Sequence, residues 1–256
     1  MALTRALLPY LLVILSLLGM SLARADTTEI RTHTIRGWSI YYDAQLVKQE
    51  TKTLLRTFVL LDDKLEQISA LLPQAALEQL QQVPIWISQH QGKGLVYHAS
   101  ATWLLTHGRN PKLARSIEVQ HLEDFATWSE NQPLVLLHEL AHALHHQVFN
   151  YHNTLINKAF QQAKKDHLYQ SVQRYDGSYA PAYALENERE YFAELTESYF
   201  GRNDYYPFNR QQLKDYDPVG YQMIESIWYS DLAPTNDTPT LEANSADFAP
   251  AATHAP

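Results

Sequence analysis

The chain has 256 residues, no cysteine and a formal net charge of −8, with 45% hydrophobic and 19% charged residues. The lack of cysteine excludes disulfides and thiolate metal sites, so the fold must depend on a hydrophobic core, which a chain of this length can supply. The acidic balance makes nucleic acids and anionic membrane surfaces poor partners.

The first 25 residues have the pattern of an export signal. Arg5 is followed by the apolar run Ala6–Met20 and by the small-residue sequence Ala23-Arg24-Ala25. The pattern predicts cleavage near Ala25 and export to the periplasm or the exterior. Loss of Arg5 and Arg24 would change the net charge from −8 to −10. A retained membrane anchor is the alternative, but the run is shorter than the ~20 residues of a spanning helix.

Residues 26–130 are predicted to contain the strands. Alternation within Ile30–Tyr42 favours a strand or hairpin. Apolar spacings of three and four predict one long amphipathic helix from an Asp43 cap to about Pro73. The remaining elements expected here are a short helix over Ala75–Gln82, a strand over Val83–Ile87, a short helix within Tyr97–Pro111 and a strand over Ser116–Gln120.

Residues 131–231 are predicted to be helical. Asn131 and Pro133 are expected to begin a helix that is apolar nearly all round and therefore buried. The further helices expected are Thr154–Lys165, Asn187 to Gly201, and Asp217 to about Trp228. Residues 232–256 have the composition of a disordered tail. The expected fold is therefore α+β, mostly helical, in one domain over residues 26–231 with a small mixed sheet in its N-terminal part.

The sequence His138-Glu139-Leu140-Ala141-His142 is the strongest chemical signal in the chain. Residues i and i+4 share a helix face, so His138 and His142 can direct ring nitrogens at one Zn²⁺. Glu139 lies about 100° round the helix. It therefore misses the metal but can reach a water in the fourth ligand position, where a general base is needed.

A catalytic zinc requires a third protein ligand. A third histidine ten residues after the first is excluded, because that position is Val148. His146 lies about 6 Å further along the same helix, too far to share one ion without bending. Glu190 and Glu194 share a face of the later helix, so one can bind zinc while the other accepts the free N–H of a ligating histidine.

Alternative interpretations of this later helix remain. Asn187 and Glu190 also fit a capping box, in which the glutamate folds back on the helix start. Glu188 is the most plausible substitute ligand. Glu186, Glu188 and Glu197 are otherwise expected to be solvated surface residues.

The chain resembles the lethal-factor-like zinc peptidases, which include the Pro-Pro endopeptidases, in the order of three features. These are HELAH at His138–His142, an intervening tyrosine, and EYFAE at Glu190–Glu194. The resemblance covers about Leu134–Tyr199. It implies a zincin-like fold with the HExxH helix at the floor of a cleft, one Zn²⁺ held by His138, His142 and Glu190, and Glu194 in a supporting position. It also implies that Tyr183, seven residues before Glu190, donates its hydroxyl to the oxyanion or the leaving group.

The chain is thus expected to be an exported zinc peptidase acting on a peptide or protein, with Glu139 as its base. An extended substrate is expected to lie along an edge strand, for which Ser116–Gln120 is the candidate. The competing hypothesis is a non-catalytic module of the same fold that binds zinc, or binds a peptide or envelope partner. The intact Glu139 argues against it, because a structural zinc gains nothing from a buried free carboxylate.

Overall fold

The computed structural model describes residues 29–88, 92 and 94–230. The expected export signal, 1–25, and the expected tail, 232–256, lie outside the described residues. Within them the protein is α+β, mostly helical with one small mixed sheet near the N-terminus, as predicted. No helix in these ranges is long and apolar enough to cross a membrane.

The main sheet has five strands in the order β1-β2-β3-β5-β4. Its strands are β1 Ile30–Ile35, β2 Trp38–Asp43, β3 Ile85–Ile87, β4 Leu95–His98 and β5 Ser116–Val119. β1 and β2 form a hairpin, where a strand or a hairpin was predicted. β2, β3 and β5 run parallel, and β4 is antiparallel to β5. A separate two-stranded ladder joins β6 Val172–Gln173 to β7 Tyr179–Ala180.

One face of the main sheet is part of the hydrophobic core. Ile40, Ile85 and Ile117 are partners across three neighbouring strands, and each is fully buried. Because side chains alternate between the two faces of a strand, this row fixes the inward face of β2, β3 and β5. The core continues into the helices that pack on this face.

The sheet order corrects the expected substrate strand. Ser116–Val119 is an internal strand, paired to β3 on one side and to β4 on the other. The edge strands are β1 and β4, and β4, Leu95–His98, overlaps the start of the region Tyr97–Pro111 in which a short helix was predicted. All four residues of β4 are buried, which leaves little of this edge exposed.

The described residues form ten α-helices. They are α1 Ala44–Gln49, α2 Thr51–Leu71, α3 Gln74–Leu80, α4 Ala101–Thr106, α5 Leu122–Asn131, α6 Val135–Phe149, α7 Thr154–Lys165, α8 Glu188–Phe200, α9 Arg210–Tyr216 and α10 Pro218–Trp228. The predicted long first helix is divided at Glu50, whose φ of −129° is not helical. The helix expected to begin at Asn131 begins instead at Val135, and Asn131 ends α5.

Helices α6 and α8 form the centre of the helical part. They pack against each other along their lengths, and α6 also contacts β4. Every residue of α6 except Gln147 and Phe149 is buried, as its all-round apolar pattern predicted. The helix ends at Asn150, whose φ of 49° is the left-handed conformation that commonly stops a helix.

Candidate metal centre

Two histidines of α6 face one glutamate of α8. The ring centroids of His138 and His142 are 4.8 Å apart, and both side chains are buried. The Oε2 atom of Glu190 lies 3.2 Å from Nε2 of His138 and 3.3 Å from Nε2 of His142. The structure therefore brings together the three residues that the sequence analysis proposed as metal ligands.

The distances from Glu190 Oε2 to the two histidine nitrogens suit one tetrahedral ion, and all three atoms lie within 4.8 Å of one another. Ligand atoms about 2.0–2.2 Å from a tetrahedral Zn²⁺ lie roughly 3.3–3.6 Å from one another. Among the described residues, the buried atoms His142 Nε2 and Glu190 Oε1 have no hydrogen-bond partner, although buried polar atoms are normally paired. The donor set of two imidazoles and one carboxylate is one that zinc accepts, so the residues fit the ion.

The start of α8 explains how Glu190 reaches this position. Asn187 caps the helix, and its Oδ1 accepts the backbone N–H groups of Arg189 and Glu190. The Glu190 carboxylate lies beside the histidines, so it does not serve the capping box that was the alternative interpretation. Glu188, the substitute ligand considered from the sequence, instead accepts a hydrogen bond from Asn157.

Glu139 is 2% exposed and is held by the edge strand. Its Oε2 accepts the backbone N–H of Tyr97 in β4 at 2.6 Å. Burial raises the pKa of Glu139, while the neighbouring His142 and His138 oppose this rise. A carboxylate whose pKa is moved toward neutrality is better matched to proton transfer near neutral pH than an exposed one.

Glu197 is the site residue that sequence reasoning missed. It was expected at the surface, but it is 3% exposed and its Oε1 accepts a hydrogen bond from His138 Nδ1 at 2.8 Å. Glu194, the expected partner of a ligating histidine, lies 4.0 Å from the same nitrogen. The i, i+4, i+7 spacing of Glu190, Glu194 and Glu197 places all three on one helix face, and this signal could have identified Glu197.

Tyr183 lies in a short 3₁₀ turn, Tyr183–Leu185, immediately before α8. It is half-buried against the core. Burial raises its pKa, and the charges of Glu190, Glu186 and Glu139 raise it further. The phenol therefore keeps its proton and remains a hydrogen-bond donor at neutral pH.

His146, which the sequence analysis weighed as a ligand, contacts Tyr97 and Tyr151. Its Nδ1 is 2.8 Å from the Tyr97 hydroxyl, and its ring stacks on Tyr151. Burial lowers the pKa of His146 to about 4, with a smaller contribution from the charge of Arg115. It is thus a neutral residue between α6 and the edge strand.

Together the fold and this site define a class: α+β proteins with a candidate metal centre of two histidines and one glutamate on two packed helices. Residues 87–227 match the family model described as anthrax toxin lethal factor, N- and C-terminal domain. The match covers more than half of the chain and includes α6 and α8, and the chain belongs to this family. Comparisons with curated proteins and with solved structures gave no match.

Proposed function

We propose that the protein is a zinc metallopeptidase in which His138, His142 and Glu190 hold one Zn²⁺. The observation that carries this proposal is the placement of Glu190 Oε2 at 3.2 and 3.3 Å from the two histidine Nε2 atoms. Family membership supports it, since lethal factor is a zinc metalloprotease acting on protein substrates. The matching family model covers two domains of that toxin, so membership alone does not assign catalysis.

The proposed chemistry is hydrolysis of a peptide bond. When bound, zinc supplies Lewis acidity that polarises the scissile carbonyl and makes water more acidic. Glu139 takes the proton from the attacking water and later delivers it to the leaving amine. The Tyr183 hydroxyl donates a hydrogen bond to the oxygen on which negative charge develops.

The Tyr97 N–H positions the proposed base. A carboxylate oxygen that accepts this bond at 2.6 Å is fixed in direction, which leaves Oε1 of Glu139 to accept the proton. The base is thereby tied to the edge strand as well as to the metal helix. Because two elements hold the Glu139 carboxylate, it has less conformational freedom to lose when the transition state forms.

The proposed organisation places this site in one exported, zincin-like domain. Residues 1–25 would be removed as a signal peptide, residues 26–231 would form the domain, and residues 232–256 would be a disordered tail. The pattern of Arg5, the apolar run and Ala23-Arg24-Ala25 supports the export step. The sheet and the packed helices form one continuous core, which supports a single domain.

Metal analysis combined with a peptide-library cleavage assay tests the function. The wild-type protein is expected to bind zinc and cleave, and Glu139→Gln to keep zinc while losing about 10²- to 10⁴-fold in kcat. Glu190→Gln is expected to lose zinc, whereas the matched variant Glu188→Gln keeps it. Zinc binding without cleavage by the wild type would favour the non-catalytic module, and absence of zinc would refute both hypotheses.

A further inference from the structure

We propose that the side chains of Gln147 and Tyr97 are positioning residues for the proposed base, Glu139. The Tyr97 hydroxyl is bound by the C-terminal half of α6, while the Tyr97 backbone N–H is donated to Glu139 in the N-terminal half of the same helix. This inference deepens the proposed function and rests on it for the role of Glu139. The contacts that carry it can be measured without any turnover.

The Tyr97 hydroxyl is held from two sides. Gln147 Nε2 donates to it at 3.1 Å, and His146 Nδ1 lies 2.8 Å from it. Because the hydroxyl accepts from Gln147 and has one proton of its own, it donates that proton to His146 Nδ1. Tyr97 is only 2% exposed, so few other groups can compete for these bonds. The two contacts therefore fix the orientation of the side chain.

Gln147 connects α6 to two neighbouring strands. Its Nε2 also donates to the Arg115 carbonyl at 3.0 Å. A carbonyl oxygen can only accept, so this bond determines which end of the Gln147 amide faces the sheet. Arg115 directly precedes β5, and its N–H donates to the His98 carbonyl of β4 at 2.6 Å. One half-buried amide thus holds the end of β4 and the start of β5 against the metal helix.

Tyr97 attaches β4 to α6 at two separate turns. Glu139 and Gln147 are eight positions apart, which is about 12 Å along a helix. β4 has four residues and is paired on one side only, so its ladder with β5 leaves the other side without strand partners. The hydroxyl contacts therefore supply a second restraint on the strand whose N–H holds the base. Movement of β4 away from α6 would break them together with the bond to Glu139.

The expected consequence is confined to the base. Among the described residues, neither Tyr97 nor Gln147 hydrogen-bonds a proposed zinc ligand. Without the hydroxyl contacts, the Tyr97 N–H would leave Glu139 for part of the time, and the carboxylate would then turn away from its productive direction. Such misplacement lowers the rate of the chemical step without weakening metal or substrate binding.

Amide hydrogen exchange, followed by NMR on the full chain, tests the positioning directly. The Tyr97 amide should exchange at least about tenfold faster in Gln147→Met and in Tyr97→Phe than in the wild type, because local opening becomes easier. The internal reference is the Ile117 amide of β5, which donates to the Pro84 carbonyl at 2.9 Å and should keep its rate. An unchanged Tyr97 rate in both variants would overturn the proposal, and so would an equal acceleration at Ile117.

Steady-state kinetics test the effect on the base. Gln147→Met and Tyr97→Phe should each lower kcat by about 10- to 100-fold, with KM and zinc affinity unchanged. The matched control is Gln162→Met on α7, which likewise removes an amide hydrogen bond, here to Asp166, and should leave kcat unchanged. A raised KM at unchanged kcat, or loss of zinc, would overturn the assignment to Glu139. A wild type that cleaves nothing would refute the proposed function, and the exchange rates would then decide whether these side chains hold Glu139.

Discussion

His138 is fixed at both ring nitrogens. Its Nε2 lies 3.2 Å from Glu190 Oε2, and its Nδ1 hydrogen-bonds Glu197 Oε1 at 2.8 Å. A proton on Nδ1, donated to Glu197, leaves the lone pair of Nε2 for a metal. Glu197 thus favours the tautomer and fixes the direction of a proposed ligand, and is not itself one of the three proposed ligands.

Glu197→Gln is therefore predicted to weaken zinc binding by about 10- to 100-fold, as loss of such a supporting carboxylate commonly does. The matched variant is Glu194→Gln on the same helix face, whose carboxylate is 4.0 Å from the same nitrogen and should affect zinc less. Chelator competition in buffer free of other divalent cations measures both affinities. A larger loss in Glu194→Gln would assign the supporting role to Glu194.

Tyr183→Phe is predicted to lower kcat by about a hundredfold while zinc remains bound, because it removes one donor to the developing oxyanion. The phenol is expected to act as a donor since burial and the nearby carboxylates raise its pKa. Tyr179→Phe, at a residue that is 68% exposed, is the control. Unchanged kcat in Tyr183→Phe would remove this residue from the mechanism.

At the scale of elements, asparagine caps determine where three of the described helices begin: α7 after Asn153, α8 after Asn187 and α9 after Asn209. Asn187 begins α8, and Asn153 begins α7 by the same arrangement, each accepting two backbone N–H groups through Oδ1. The helices that begin at Asn187 and Asn153 differ in the residues that follow the cap. Only α8 presents Glu190 to the candidate metal site three residues later.

Asn187→Ala and Asn153→Ala are each predicted to lower the free energy of unfolding by about 1 kcal/mol. Only Asn187→Ala should also weaken zinc binding, because fraying of the first turn of α8 displaces Glu190. Urea unfolding and chelator competition on both variants measure the two effects. Equal zinc affinity in the two variants would show that the cap does not position Glu190.

The elements predicted correctly from the sequence are those with local signals. Thr154–Lys165 combines an Asn153 cap with a strongly amphipathic face, and its predicted bounds agree with the structure. Leu95–His98 was missed because a strand buried on both faces has no alternation of polar and apolar residues. Arg210–Tyr216 was missed because only Leu213 in it is buried, so it has little apolar periodicity.

The site shows the same division between local and tertiary information. His138, Glu139 and His142 follow from spacing within one helix, because their geometry is a property of the helix itself. Glu197 depends on how α8 packs against α6, and the Tyr97 bond to Glu139 depends on which strand forms the sheet edge. Neither contact can be read from spacing within one segment.

At the scale of the whole molecule, a buried charged network joins the sheet to the segments around it. Glu118 in β5 is 1% exposed and accepts hydrogen bonds from His98 Nε2 at 2.8 Å, Arg109 Nη2 at 2.6 Å and Ser88 Oγ. Burial would raise the pKa of Glu118, but these hydrogen bonds and the charge of Arg109 outweigh it and lower the pKa to about 2. The ionised form is therefore favoured in the folded protein.

This network predicts how stability depends on pH. The pKa of Glu118 is lower in the folded chain than its ordinary value of 4.5, so its stabilisation is complete above about pH 4.5 and is lost as the pH falls toward 2. The free energy of unfolding should fall by about 3 kcal/mol when this stabilisation is lost. Urea unfolding of the wild type and of Glu118→Gln, both stripped of metal, should show the wild type falling more steeply over this range. The control is Glu130→Gln, which changes an exposed carboxylate. If the free energy of unfolding varied with pH in the same way in the wild type and in Glu118→Gln, the network would not stabilise the ionised carboxylate.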